Sequence, residues 1–367
     1  MRDSYLTILI IALLIASLGV VSIYSSTYQK YGKPWEDIYK RQILWIILGL
    51  ISFALVSNLH YRRLWDWTFV LYAAAIFFLL LVLGLGLVRM GAQRWLKIAW
   101  FNFQPSEFTK LVTVIFLSRY FSRKSSSDTS ILTGKFGVMR GIILPFMFVA
   151  LPALMIMEQP DLGSAMIIIF LFMALLYLTG VKLRYIFLFF AILIIPLPFM
   201  WNLLHDYQRQ RLLVFVNPNI DPLGAGYTVI QSKITIGSGW LFGKGWLSGT
   251  QSQLRFLPES HTDFIFATFA EEWGFLGSVV LLLLYFIIIR KGFVIAQRTN
   301  DFFGKLLASG IALMLSIQVG VNVAMNMGFA PVVGIPLPLM SYGGSSVMVT
   351  FVALGILVNI DRTRTVF

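Results

Sequence analysis

The sequence predicts an all-α integral membrane protein of about ten transmembrane helices, and three observations predict it. Of its 367 residues, 58% are hydrophobic and only 12% are charged, with a mean hydropathy of +0.81. Apolar runs of about 20 residues, the length that crosses a bilayer, recur along the chain. Lysine and arginine collect in alternate connections, as the cytoplasmic bias of positive charge requires. No polar segment is long enough to fold separately, so residues 1–367 read as a single polytopic membrane domain.

Taken in order, the spans fall near 5–24, 42–58, 68–88, 106–121, 142–157, 163–180, 184–201, 263–289, 303–327 and 343–360. The first follows Met1-Arg-Asp-Ser4. At about 20 apolar residues it exceeds a signal-peptide core and lacks a small-residue cleavage site, so it reads as a retained span. Pro145 and Pro152 predict kinks in the fifth span, and Pro196 and Pro198 in the seventh. With both termini inside, the cytoplasmic connections and inner helix ends hold 16 Lys or Arg against 5 Asp or Glu, including Arg62-Arg63, Arg123-Lys124, Lys182, Arg184, Arg290-Lys291, Arg362 and Arg364. The outer side holds 13 against 11. The longest connection, 202–262, is then an extracytoplasmic loop between helices 7 and 8. No internal repeat of fixed period and no inverted pair of half-sequences is present.

Composition also excludes chemistry. The absence of cysteine removes disulfides, thiolate metal sites and a cysteine nucleophile. Three histidines, His60, His205 and His261, are too scattered for a histidine metal cluster. A net charge of +13 in a soluble protein would suggest nucleic acid; here it marks the cytoplasmic face, and no nucleic-acid partner is expected. The basic, serine-rich connection 122–141 reads as a solvated segment beside anionic membrane lipids.

The unusual polar segments all fall at outward-facing helix ends or connections: Gln104-Pro-Ser-Glu107 with Lys110, Glu158-Gln-Pro-Asp161, the long loop ending at Asp263, and Pro336 to Ser346. One polar cavity opening outward would gather them. Carboxylates kept in an apolar stretch usually line such a cavity and usually have a task, and Asp263 is the foremost, at the start of the eighth span. The structural reading is that Thr262 or Asp263 caps that helix, which does not exclude catalysis. Glu107 and Lys110, three apart, share a helix face; they read as an internal ion pair, or as a pair whose lysine also meets an anion such as pyrophosphate. On a continuous helix Glu271 lies about 80° from Asp263, with Glu272 opposite. The seven glycines from Gly224 to Gly249 do not match a nucleotide P-loop, because three residues rather than four separate the relevant pair and Lys244 precedes glycine. They predict a flexible lid from which Lys244 could touch an anion. Pro331, Pro336 and Pro338 cannot continue a regular helix and predict irregular backbone bordering the same wet cavity.

Together these segments closely resemble the RodA/FtsW/SpoVE (SEDS) family of bacterial cell-wall polymerases. The resemblance is carried by Gly91-Ala-Gln-Arg94-Trp95, Gln104-Pro-Ser-Glu107 with Lys110, Gln159-Pro-Asp161-Leu-Gly163, Ile236-Gly-Ser-Gly239, Gly243-Lys244-Gly245 and Gly249-Thr-Gln251. It continues through Phe256-Leu-Pro-Glu259, His261-Thr262-Asp263-Phe-Ile-Phe266, Glu271-Glu272 with Gly274, and Ser341-Tyr342-Gly-Gly-Ser345-Ser346. Pro331 to Pro338 and the short termini resemble the elongation branch, RodA. Trp240 stands where the family commonly has a second glycine, and Trp273 where a smaller apolar residue is usual.

The resemblance implies a peptidoglycan glycosyltransferase of the bacterial inner membrane that polymerises lipid II at its outer face. Asp263 is then the essential acid, with Glu107 and Lys110 in the cavity. Lipid II is both donor and acceptor, and a class B penicillin-binding protein is the transpeptidase partner; this chain has no Ser-x-x-Lys segment in a periplasmic domain. The acceptor 4-hydroxyl needs a base and the departing diphosphate needs positive charge. Lys110, Arg94, Lys244 or a divalent cation (Mg or Mn) would supply that charge, and no nucleotide is needed because the donor is pre-activated. An ordinary aspartate, with a pKa of about 3.9, is a weak base, so partial desolvation would help it. A lipid II flippase and a non-catalytic scaffold of the elongation machinery are the alternatives.

Overall fold

The computed structural model describes residues 2–28, 37–89, 92–98, 101–125, 137–195, 206–222, 224–254 and 256–363. Its long helices are α1 (Arg2–Thr27), α2 (Ile38–Asn58), α3 (Arg62–Leu85), α4 (Pro105–Ser125), α5 (Leu144–Glu158, entered through a π-turn at Met139–Ile143), α6 (Leu162–Leu178) and α7 (Leu183–Ile194). After these come α8 (Asp206–Val216), α9 (Ala225–Ser238), α10 (Thr250–Gln253), α11 (Ile265–Arg298), α12 (Phe302–Met327) and α13 (Gly344–Thr363). Each of the ten expected spans falls on a helix. Among the described residues, seven helices are long and apolar enough to cross a membrane. Of the others, α6 has 17 residues and α7 has 12, with part of the seventh expected span lying outside the described residues. The remaining one, α4, carries Glu107 and Lys110 near its start and Arg119, Arg123 and Lys124 near its end, and Leu111 to Leu117 and Phe121 between and beside them are almost wholly buried. A helix surrounded by protein can carry Glu107 and Lys110 where a lipid-facing one could not.

Two apolar cores meet along α4 and α12. One gathers α1, α2, α11, α12 and α13 around Ile15, Phe53, Leu307 and Phe351. The other gathers α3 to α6 around Leu79, Phe121, Ile156 and Phe172. α13 packs on α2, α11 on α12, and α4 between α3 and α12. This arrangement brings the starts of α4, α6, α11 and α13 to one end of the bundle.

Three features depart from the sequence reading. First, the α3–α4 connection is a small antiparallel sheet, β1 (Leu87–Arg89), β2 (Ala92–Ile98) and β3 (Phe101–Phe103), in the order β1-β2-β3, with Leu87 opposite Trp95 and Leu96 opposite Phe103. A helix period does not fit a segment this short between two membrane helices, whereas a hairpin satisfies its own backbone. Second, the connection 202–262 is not an open loop, because it contains α8, α9 and α10, and α9 packs on both α11 and α12.

Third, α11 is broken at Gly274 (φ 67°, ψ −165°), and the glycine-rich segment is inserted into the break. A continuous helix would bond Phe275 N–H to Glu271 O and Leu276 N–H to Glu272 O. Instead those N–H groups donate to Trp240 O (2.8 Å) and Leu241 O (3.1 Å), while Lys244 N–H and Gly245 N–H donate to Glu271 O (2.9 Å) and Glu272 O (3.0 Å). Four backbone groups opened by the break are thus closed by the loop. Contact this close requires glycine on both sides. A Cβ on Gly243 would lie 2.1 Å from Glu272 O, and one on Gly274 2.3 Å from Gly243 N. The expected flexible lid is a docked segment.

Candidate active site

Asp263 lies in the turn that leads into α11. The helix begins at Ile265, and its cap position, Phe264, makes no side-chain cap bond. Asp263 is therefore neither the cap nor on the helix, and the helical-wheel comparison with Glu271 does not apply. The turn is built from Glu259 (φ 49°), whose carbonyl accepts from Thr262 N–H (3.1 Å) and Phe264 N–H (3.3 Å). The Glu259 carboxylate accepts from Thr262 Oγ1 (2.9 Å).

Two neighbouring elements pin this turn. Ser341 Oγ donates to Thr262 O (2.7 Å) and accepts from Leu337 N–H (2.8 Å), and Tyr342 N–H donates to His261 O (2.9 Å). The His261 and Tyr342 rings are 5.9 Å apart. Gln42 of α2 holds the same segment by donating to Ser341 O (3.1 Å) and accepting from Gly343 N–H (3.3 Å). From α12, Asn322 Nδ2 donates to Asp263 O (3.1 Å) and Ile335 O (2.7 Å), and Asn326 Nδ2 donates to Asp263 O (3.0 Å). Asn326 Oδ1 accepts from Ala267 N–H (3.2 Å), so one amide bridges both sides of the helix start. Gln42, Asn322 and Asn326 were not singled out from sequence. The usable signal was two amides four residues apart inside an otherwise apolar helix.

The side chain of Asp263 is half-buried and shares Gly334 with Arg94. A Cβ at Gly334 (φ 72°) would meet Arg94 Nη1 at 3.4 Å and Asp263 Oδ2 at 3.5 Å. A guanidinium and a carboxylate thus converge on one small space that the missing side chain keeps open. Arg94, on β2, also donates through Nη2 to Pro160 O, and its Nε is buried without a hydrogen-bond partner among the described residues.

Pro160 leads to a second polar group. Asp161 caps α6, accepting from Ser164 N–H (3.3 Å), Ser106 Oγ (3.1 Å) and Gln104 Nε2 (3.4 Å), while Gln104 N–H donates to Ser345 Oγ (2.9 Å). The starts of α4, α6 and α13 are tied together there. One turn further along α4, Lys110 Nζ and Glu107 Oε1 pair at 2.7 Å, with side chains 1% and 2% exposed. Gln159 holds Leu79 O (3.0 Å), and buried Ser346 accepts at its carbonyl from Thr350 Oγ1 (2.7 Å).

Lys244, Gln251 and Glu271 form a separate group. The buried Glu271 carboxylate accepts from Lys244 Nζ (2.8 Å), Gln251 N–H (3.0 Å), Ser252 N–H (3.3 Å) and Thr250 Oγ1 (3.3 Å). Lys244 is therefore committed to holding the inserted segment, not extended toward an anion from a mobile lid. Of the cations expected to face a diphosphate, Arg94 is the one beside Asp263.

The described residues offer no group of three or more His, Cys, Asp or Glu side chains able to hold a metal ion. The group facing Asp263 across Gly334 is itself cationic, so this pair does not make a metal cage. An apolar groove of about 490 Å³ runs along α4 past Phe108, Leu111 and Ile115 to His60 and Arg63 at the other end of the bundle. It has no carboxylate in its lining, so the converging polar groups at Asp263 make the stronger candidate site.

Comparison with known proteins gives the family. Residues 5–366 match the model of the FtsW/RodA/SpoVE family, described as cell cycle protein. The chain is 40% identical over 363 residues to peptidoglycan glycosyltransferase MrdB of Escherichia coli K12, covering 99% of this chain and 94% of that one. It is similar to a chain of a peptidoglycan synthase complex that coordinates polymerization and crosslinking (TM-score 0.78, 32% identity, 98% and 97% covered). It is also similar to the rod shape determining protein RodA of Thermus thermophilus (TM-score 0.70, 28% identity, 98% and 96% covered). The chain is a member of the FtsW/RodA/SpoVE family.

Proposed function

We propose that this chain, a multi-pass membrane peptidoglycan glycosyltransferase by its family and relatives, elongates glycan strands from lipid II with Asp263 as general base. The observation that carries this reading is the convergence of a half-buried carboxylate and a guanidinium on the open space beside Gly334. The two side chains match the two demands of the reaction. The acceptor 4-hydroxyl gives its proton to Asp263 Oδ2 as its oxygen attacks the donor anomeric carbon. The bond from that carbon to the diphosphate breaks, and the electron pair leaves with undecaprenyl diphosphate. Arg94 stands where negative charge would develop on the leaving group, and a planar guanidinium suits phosphate oxygens. Direct displacement inverts the anomeric centre. Diphosphate leaves without protonation, so no second acid is required, in contrast to glycoside hydrolysis.

The clamped backbone fits the same role. With its carbonyl held by two asparagines, the Asp263 backbone is fixed, and fixed geometry is a large part of what a catalytic base contributes. A Mg or Mn ion, where one is used, arrives with the diphosphate. The reaction is assigned to the outer face of the bacterial inner membrane, where positive-inside charge places the Asp263 end of the bundle. The partner is a class B penicillin-binding protein, in keeping with the similarity to a synthase complex that both polymerises and crosslinks.

The test is polymerisation of purified lipid II by the Asp263→Asn protein. Loss of strand synthesis with unchanged thermal unfolding supports the assignment; polymer at the normal rate refutes it.

A further inference from the structure

We infer that the tip Trp240-Leu241-Phe242 is a membrane-interface anchor, which seats the inserted segment and the break in α11 among bilayer lipids. Trp240, Leu241 and Phe242 are 84%, 57% and 79% exposed. Such exposure is unusual for three consecutive large apolar residues, and a patch of this kind marks an interaction surface. The tip is not a loose loop. Gly239 and Gly243 flank it, and the bonds from Phe275 N–H and Leu276 N–H fix its carbonyls to α11.

The occupant follows from what the patch adjoins. Below the break, Leu276, Val280, Leu283 and Phe286 are all exposed, and their spacing places them on one face of α11. In a membrane-spanning helix an exposed apolar face of this kind meets lipid. The tip is joined to the top of that face through its bonds to Phe275 and Leu276, so one apolar surface is continuous from helix to loop.

Length sets the depth. From Phe275 to Ile289, before Arg290 and Lys291, α11 offers 15 residues, about 22 Å at 1.5 Å per residue. A bilayer's hydrocarbon core is about 30 Å thick. The break therefore lies within the outer boundary of the membrane rather than above it, and the tip lies at that level. Tryptophan and neighbouring aromatic residues favour this zone, where an apolar ring can be buried while its N–H stays near water. Trp273, 40% exposed one residue before the break, adds a second ring at the same height.

The anchor matters because Asp263 and the break belong to the same helix entry. Lys244 and Gly245, which follow the flanking Gly243, bond to the last turn before Gly274. Seating the tip in lipid thereby fixes the depth of that turn, and with it the height of the Asp263 turn, relative to the headgroups.

The chain has no cysteine, so single-cysteine spin labelling needs no background substitution. The full chain would be reconstituted in phosphatidylethanolamine/phosphatidylglycerol vesicles carrying Phe242→Cys, Trp240→Cys or, as a water-exposed reference, Ser248→Cys. Accessibility to oxygen and to a water-soluble nickel chelate is then measured by power saturation. The expected result is oxygen accessibility exceeding nickel accessibility at positions 242 and 240, and the reverse at 248. Nickel accessibility at the tip equal to that at 248 overturns the inference. A label shielded from both reagents also overturns it, because the patch would then be covered by protein, either a second copy or another part of the chain. The two tip variants guard against one failing to fold, and the readout does not depend on catalysis.

Discussion

Asp263 and Glu271 stand eight residues apart at the head of the same helix, yet the structure treats them in opposite ways. Glu271 is fully buried, and its carboxylate accepts from Lys244 of the inserted segment and from two backbone N–H groups and the Thr250 hydroxyl of α10. Its contacts hold a loop in place. Asp263 is held by its backbone carbonyl, through Asn322 and Asn326, while its half-buried side chain shares the small space beside Gly334 with Arg94. Acidic residues in an apolar setting thus fall into two kinds. A carboxylate enclosed by donors from the fold is architecture, and one whose main chain is clamped beside a guanidinium and the small space left by a glycine is the candidate for chemistry.

The comparison can be broken most forcefully at Glu271. Glu271→Ala removes the partner of Lys244 and leaves the inserted segment without its acceptor. Breaking a buried ion pair from one side costs about 3–5 kcal/mol, and the part-exposed lysine puts this case at the low end. The measurement is thermal unfolding in detergent: a marked drop is expected, with lipid II turnover per folded molecule largely retained. A normal melting temperature combined with lost turnover would exchange the roles of the two carboxylates.

The next effect comes from the pair on α4. Lys110→Met alone strands the buried Glu107 and should destabilise by about 3 kcal/mol, whereas Glu107→Gln with Lys110→Met should regain most of that loss. Recovery of turnover along with stability would show that the pair supports the fold. A double variant that is stable but inactive would place Lys110 at the substrate.

Asn322→Ala sharpens the account of Asp263 itself. It takes the donor from Ile335 O, at about 1–3 kcal/mol for a group left buried and unsatisfied, and leaves Asp263 O to Asn326. Because the turn then loosens, kcat should fall more than KM changes. A rise in KM with kcat intact would make Asn322 part of the substrate site instead.

The smallest expected effect is Arg94→Lys. Charge is kept while the planar fork is lost, so kcat/KM should fall roughly tenfold, about 1.4 kcal/mol, with unfolding unchanged. Full activity in this variant would remove the guanidinium from the proposed reaction.

Much of this was legible in the sequence, and the limits are physical. Apolar run lengths located the helices because a bilayer imposes a length and every backbone group must be satisfied within a span. Polar residues at helix ends pointed to the candidate site because charge in an apolar run is costly. Asp161 and Gln104 were found this way, and they meet at the start of α6. The assignments that needed partners distant in sequence were harder. Lys244 looked like a cation on a lid because nothing local shows that Glu271 lies 27 positions on and takes its charge. The glycines around it looked like flexibility; their reason is the backbone of a broken helix lying against them. Asn322 and Asn326 were passed over for the same reason, since their partners are carbonyls about 60 residues earlier. The small sheet at 87–103 gave no period long enough to read.

The most direct measurement pairs lipid II binding with strand synthesis in the Asp263→Asn protein, reconstituted in vesicles and followed through a single turnover. The account predicts that this neutral, nearly isosteric variant binds lipid II as the parent chain does and forms no glycosidic bond. Strands that still lengthen at a comparable rate would contradict it.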